Sequence, residues 1–145
     1  MPGKATRTTS MSLRDYFEAL TKAVFRSGIS MGVVEARWGG LRAAFADFDP
    51  VRVARFTPET IEALMQDPRI VRNRRKIEAT VDNAAAIVAL DREHGGLGGY
   101  LRSHAGAEEV VEDLAHRFKV LDENGALFFL RAVGEDVPAP AAALA

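Results

Sequence analysis

The chain has 145 residues, 48% of them hydrophobic and 27% charged, which suits one soluble domain with a sizeable core and excludes disorder for most of its length. It contains no cysteine, so disulfides, thiolate zinc sites and cysteine nucleophiles are excluded, and no apolar run approaches the roughly 20 residues that cross a bilayer. Nineteen basic residues against twenty acidic ones leave a net charge of −1, so contact with a polyanion must come from a local cluster.

In chain order, residues 1–11 are polar, carry no secretory signal and read as a disordered segment, which points to a cytoplasmic address. A single domain is expected over residues 12–133, with a loose tail over 134–145. Leu13, Phe17, Leu20 and Val24 share one helical stripe, and Gly28 is a plausible stop. Met31, Val34, Trp38, Leu41 and Phe45 repeat that stripe for a second helix with Ser30 as its N-cap, weakened by Gly39-Gly40. Asp49-Pro50 and Thr57-Pro58 are both start signals, a capping side chain followed by proline at the first helical position. They open short helices, with Val51 and Val53 inward in the first and Ile61, Leu64 and Met65 in the second. Beyond the break at Asp67-Pro68, Ile77, Thr80, Val81, Ala84, Ile87 and Val88 predict a long helix to about Asp91. The glycine-rich run from His94 to Gly99 reads as a loop, and Val110, Val111, Leu114 and Phe118 mark a helix over Glu108 to Phe118.

The segment Phe118 to Val133 admits two readings. Asn124-Gly125 between apolar runs is a strong β-hairpin signal, yet Leu127, Leu130 and Arg131 also suit a helical period. A lone ribbon attached to six or seven helices is the poorer architecture, which favours helix, turn and helix, with the turn at Asn124-Gly125. The fold class expected from the residues is therefore an all-α, compact helical bundle whose last two helices are joined by a turn.

Two segments carry candidate chemistry. Arg69, Arg72, Arg74, Arg75 and Lys76 put five basic residues into eight with no acid, at the start of a long helix where the macrodipole disfavours cations. That placement suits phosphate contact; a solvated helix face is the bland alternative. Around Asn124-Gly125, backbone N–H groups at a helix start can hold a phosphate, with Lys119 adding charge. Two such grips on one helical domain suggest a DNA-binding scaffold.

The runs Phe25-Arg26-Ser27-Gly28-Ile29-Ser30-Met31, Phe45-Ala46-Asp47-Phe48-Asp49-Pro50-Val51-Arg52-Val53-Ala54 and Leu64 through Ile77, followed by Asn83-Ala84, resemble the bacterial 3-methyladenine DNA glycosylase I family, a branch of the helix-hairpin-helix glycosylases. The similarity extends from about Tyr16 to Asn83 and resumes in Arg117-Phe118-Lys119 and Gly125 to Leu130, the last pair of helices, which the resemblance makes a helix-hairpin-helix element. The resemblance implies base excision from double-stranded, alkylated DNA: the damaged purine is flipped into a pocket and its N-glycosidic bond is hydrolysed. It implies DNA contacts at Arg69, Arg72, Arg74, Arg75, Lys76, Lys119, Asn124 and Gly125, and a base pocket at Phe25, Ser30, Met31 and Trp38. Trp38 equally suits the core.

This sequence departs from the family pattern. The family's pocket carboxylate falls on Ala23 and its stacking tryptophan on Met31, while the cysteine and histidine residues of its zinc clip and the aromatic amino-terminal segment are missing. The catalytic aspartate of other branches falls at or beyond the Ala-rich end of the chain. Any acid must come from elsewhere, with Glu35 first and Glu18 next; Asp136 follows the hairpin too closely to be well held. His94, His104 and His116 show no ligand spacing. A monomer without metal or cofactor is expected. The alternatives are a catalytically silent DNA-binding relative and a helical interaction protein whose basic run meets a protein or RNA.

Overall fold

The structure, a computed structural model, describes residues 11–70 and 72–137; the other residues of the expected terminal segments lie outside that description. Ser12 opens α1 (Leu13–Phe25) by accepting the Asp15 amide at 3.1 Å, and Phe17, Leu20 and Val24 are fully buried on the expected stripe. The chain turns at Gly28, where φ is 74°.

The single helix expected over Met31 to Phe45 is instead two, α2 (Met31–Ala36) and α3 (Trp38–Ala44), broken at Arg37. The re-aimed α3 buries Trp38 and Leu41 and sets Gly40 backbone to backbone against the distant turn at Arg69. A Cβ on Gly40 would lie 2.5 Å from the Arg69 carbonyl oxygen, so the glycine serves close packing. After α3, Ala46, Asp47 and Phe48 make a left-handed turn with φ of 54°, 57° and 58°, a backbone that residues with side chains rarely adopt. Phe48 anchors it by full burial and by stacking on Trp38 at 5.1 Å, and Asp47 pairs with Arg14 at 3.3 Å and Arg42 at 3.1 Å.

The two proline-marked helices form where the sequence signals them, α4 (Pro50–Val53) capped by Asp49 and α5 (Pro58–Met65) capped by Thr57. Of the two valines expected inward on α4 only Val53 is buried. Asn73 caps α6 (Arg74–Glu93), whose 20 residues span about 30 Å and pack against α1, α4, α5 and α7.

The loop expected over His94 to Gly99 is half helix. Only the stretch to Gly96 turns, and Gly98 and Gly99 lie inside α7 (Leu97–Arg102), which buries Leu97, Tyr100 and Leu101. Glycine is there for closeness: a Cβ on Gly98 would sit 3.2 Å from the Tyr16 hydroxyl, and one on Gly99 2.9 Å from the His94 carbonyl. Then come α8 (Ala107–Arg117) and α9 (Glu123–Ala132), which packs on α1 and α8. The connection between them is residues 118–122, not Asn124-Gly125. Asp122 accepts the Gly125 amide at 2.7 Å, which draws Asn124 and Gly125 into the first turn of α9, and Val120 takes the turn's positive φ of 55°. Among the described residues there are nine α-helices and no strand, the all-α bundle that the architecture argument favoured, with the helix-hairpin-helix element that the resemblance implied. None of these helices is long and apolar enough to cross a membrane.

At the chain's far end Glu135 donates its amide to Leu130 O at 2.9 Å and pairs with Arg102 at 3.0 Å.

Candidate functional site

The basic run dissolves into separate roles. Asp67 takes Arg69 in a fork, with Nη2 at 2.7 Å and Nε at 3.0 Å, and that bonding pulls the Asp67 carboxyl down to about 2. Arg74 is held by Glu62 at 2.6 Å and Glu78 at 3.6 Å. Lys76 does not reach the surface at all. Only 6% exposed, it sends Nζ across to the last turn of α1, donating to Phe25 O at 3.0 Å and to Ser27 O. It thereby satisfies carbonyls that a helix end leaves open, and burial, with Arg75 nearby, lowers its pKa. Arg72 and Arg75 are exposed and make no ion pair among the described residues.

Asn83 joins α6 to the hairpin. Its buried carboxamide accepts the Lys119 amide at 2.8 Å and donates to the Lys119 carbonyl at 3.1 Å. Lys119 Nζ meets Asp82 at 2.9 Å, and a hollow of about 320 Å³ lined by Arg75, Glu78, Ala79, Asp82, Lys119 and Val120 runs between the helix and the turn. The start of the long helix and the hairpin, far apart in sequence, thus form one surface. The Gly125 amide does not face that surface as a free donor, because Gly125 is buried and capped by Asp122, while Asn124 is exposed beside Glu123.

The aromatic pocket candidates are more enclosed than expected. Phe25 is fully buried with its ring 6.2 Å from that of Phe45, so it belongs to the core. Trp38 is 7% exposed, with Phe48 stacked on it and Lys22 Nζ 4.8 Å from the ring centroid, so it offers no open face to a base. Ser30 caps α2 by accepting the Val33 amide at 3.3 Å, and Met31 beside it is half-buried.

The two carboxylates singled out from the sequence are connected only indirectly, through Trp38 and Lys22. Glu18 Oε2 accepts the Trp38 indole N–H at 2.8 Å and Arg42 at 2.5 Å, while Glu35, exposed on α2, pairs with Lys22 at 3.1 Å. Two residues that sequence reasoning passed over complete this cluster: Lys22 lies over the Trp38 ring and pairs with Glu35, and Arg42 pairs with Glu18. One signal was available: Trp38 and Arg42 are four apart on one helix, the spacing of facing side chains.

Residues 8–125 match the family described as methyladenine glycosylase. The chain belongs to the methyladenine glycosylase family. It is 31% identical over 98 residues to the DNA-3-methyladenine glycosylase of Haemophilus influenzae, covering 68% of this chain and 53% of that protein. It is 37% identical over 76 residues to DNA-3-methyladenine glycosylase 1 of Escherichia coli, covering 52% and 41%. The chain therefore spans about half the length of these curated relatives. A crystal structure of a 3-methyladenine DNA glycosylase I in complex with 3-methyladenine superposes with a TM-score of 0.75 at 25% identity, covering 85% of this chain and 77% of that one.

Within this methyladenine glycosylase fold, Ala23 is buried on α1 with no carboxylate to offer at the place the resemblance marks for one. The donors do not fit the family's zinc clip either: the sequence has no cysteine, and among the described residues no three His, Asp or Glu side chains converge on a metal position. All three histidines line one hollow of about 520 Å³ over α7 and α8. Asp113 is its hub, bonded to Tyr100 Oη at 2.7 Å, His104 Nε2 at 2.8 Å and Arg117 Nε at 3.0 Å. Burial pushes the Asp113 carboxyl up, but those three donors outweigh it and hold it at about 2.

Proposed function

We propose that the chain binds duplex DNA along the α6–hairpin surface and releases an N3-alkylated purine from it. The observation that carries the reading is the amide clamp at Asn83, which builds Arg75 and Lys119 into one continuous face on a methyladenine glycosylase fold. Arg72 and Arg75 contact phosphates, and Lys119, Arg69 and Arg74 contribute only as they exchange Asp82, Asp67, Glu62 and Glu78 for DNA. Ser30 and Met31 border the base.

Chemically the reaction asks little of the protein. An N3-alkylated adenine is already cationic, so when its bond to C1′ breaks, the electron pair neutralises the leaving base, and water adds to the sugar carbon and gives up a proton to the surrounding solvent. A carboxylate near the sugar stabilises the positive charge that develops there, and the two proposed for it are Glu35, paired with Lys22, and Glu18, held by Trp38 and Arg42. No lysine acts as a Schiff-base nucleophile, so the strand stays intact. The protein acts as a monomer, without zinc or cofactor.

A second reading, a relative that binds DNA without cutting the glycosidic bond, is favoured by Ala23 and by the occupied faces of Trp38. Measuring free base released from methylated duplex, alongside duplex binding, separates the two: release supports the glycosylase, and saturated binding without release supports the silent relative.

A further inference from the structure

Among the described residues Asn83 is one of four buried polar residues, with Thr21, Lys76 and Thr80, and of these it alone uses its side chain to hold a loop by both of a residue's backbone groups. The loop needs such a hold. Phe118 is extended, Val120 is left-handed, and between them the Lys119 N–H and C=O have left α8 and not yet entered α9. A carboxamide places a donor and an acceptor on two separate atoms, side by side, to match the N–H and C=O of one residue; a hydroxyl offers both from a single oxygen, and an ionised aspartate only accepts. The other link, Lys119 to Asp82, joins two well-exposed side chains and is weak by comparison.

We propose that Asn83 is a positioning residue that sets the register of the hairpin on α6, so that Arg75 and Lys119 meet the same DNA backbone. This rests on the DNA reading above. The clamp is formed before any ligand arrives, so the duplex meets a prearranged pair of cations and not two independent ones. Loss of the clamp lets the hairpin shift by a residue or more and takes Lys119 off the phosphate track, leaving Arg72 and Arg75 to bind alone.

The test uses the full chain and a short unmodified duplex, with affinity measured between 50 and 200 mM salt for wild type, Asn83→Leu, Asn83→Asp and Thr80→Val. Thr80 is the control, buried on the same helix but bonded only to Lys76 O within it at 2.8 Å. Asn83→Leu is expected to bind about tenfold more weakly at 50 mM, with a salt slope shallower by about 0.9, one phosphate's share. Asn83→Asp, which keeps the acceptor for the Lys119 amide, falls between, and Thr80→Val matches wild type. Amide exchange over residues 118–122 in the free protein rises in both Asn83 variants and not in Thr80→Val. If Asn83→Leu does not fold, Asn83→Asp is judged by the same measures. A folded Asn83 variant with affinity within twofold of wild type and an unchanged slope overturns the inference. A wild-type chain with no duplex affinity refutes the proposed function instead.

Discussion

Replacing Arg72 and Arg75 together by alanine isolates the part of the basic run that is free to meet DNA. Arg69, Arg74 and Lys76 are already committed to Asp67, to Glu62 and Glu78, and to the α1 carbonyls. With about 0.9 counterion released per phosphate neutralised, the two free guanidiniums contribute about 1.8 to the slope of log affinity against log salt, and Lys119 raises the total to at most about 2.7. Over a fourfold rise from 50 to 200 mM, wild-type affinity should then fall roughly 12- to 40-fold, and that of the double variant by no more than about 3- to 4-fold. Arg74→Ala should change the slope by less than about half a unit, because two carboxylates already compete for that guanidinium. Fluorescence anisotropy of a labelled duplex at four salt concentrations measures all three proteins. An unchanged slope in the double variant, or equal flattening in Arg74→Ala, would refute the division of the run into free and committed cations.

Three further outcomes follow from the geometry. Lys76→Met strips the end of α1 of its charged donor and is expected to cost about 2 kcal/mol in chemical denaturation, the loss of two charge-assisted bonds less the relief of burying an ammonium. Because Lys76 has its pKa lowered below the ordinary 10.5, the unfolded chain holds that proton more tightly, so stability rises as pH climbs toward 10.5 and the Met variant lacks that rise. Asp113→Asn removes a carboxyl held at about 2 against an ordinary 3.8; its contribution, roughly 1–2 kcal/mol after allowance for partial exposure, is present above pH 3.8 and lost as pH falls through 2, so the variant's melting temperature should be lower at neutral pH and flatter in acid. Ala46→Gly relaxes one left-handed residue and should stabilise the chain by roughly 0.5–1 kcal/mol; a lower melting temperature would show that the turn is not strained there.

The contrast between what the sequence announced and what it concealed follows the range of the interactions. Caps and prolines act within a turn, so Ser30, Asp49 and Thr57 mark their helices correctly from local pattern. Glycine is ambiguous because it serves both bent and close backbones. Gly95 and Gly96 bend the chain as expected, whereas Gly40, Gly98 and Gly99 sit within helices because neighbours press on them. Asn124-Gly125 carried a turn signal, but Asp122, two residues earlier, captured the Gly125 amide and started the helix sooner. In the site, the five cations were visible as a cluster, yet the partners of Lys76 lie far along the chain, at carbonyls 49 and 51 residues away. Asn83 stood among the residues that carry the family resemblance, and nothing short of the fold connects it to Lys119, 36 positions on.

Release of free base from methylated duplex DNA is the most direct test of the account. Incubated at a protein concentration that saturates binding in low salt, the chain should liberate 3-methyladenine in a time-dependent manner and leave the strand uncleaved. Saturated binding with base release no faster than in protein-free DNA would contradict the hydrolytic reading and leave the chain a DNA-binding member of its family.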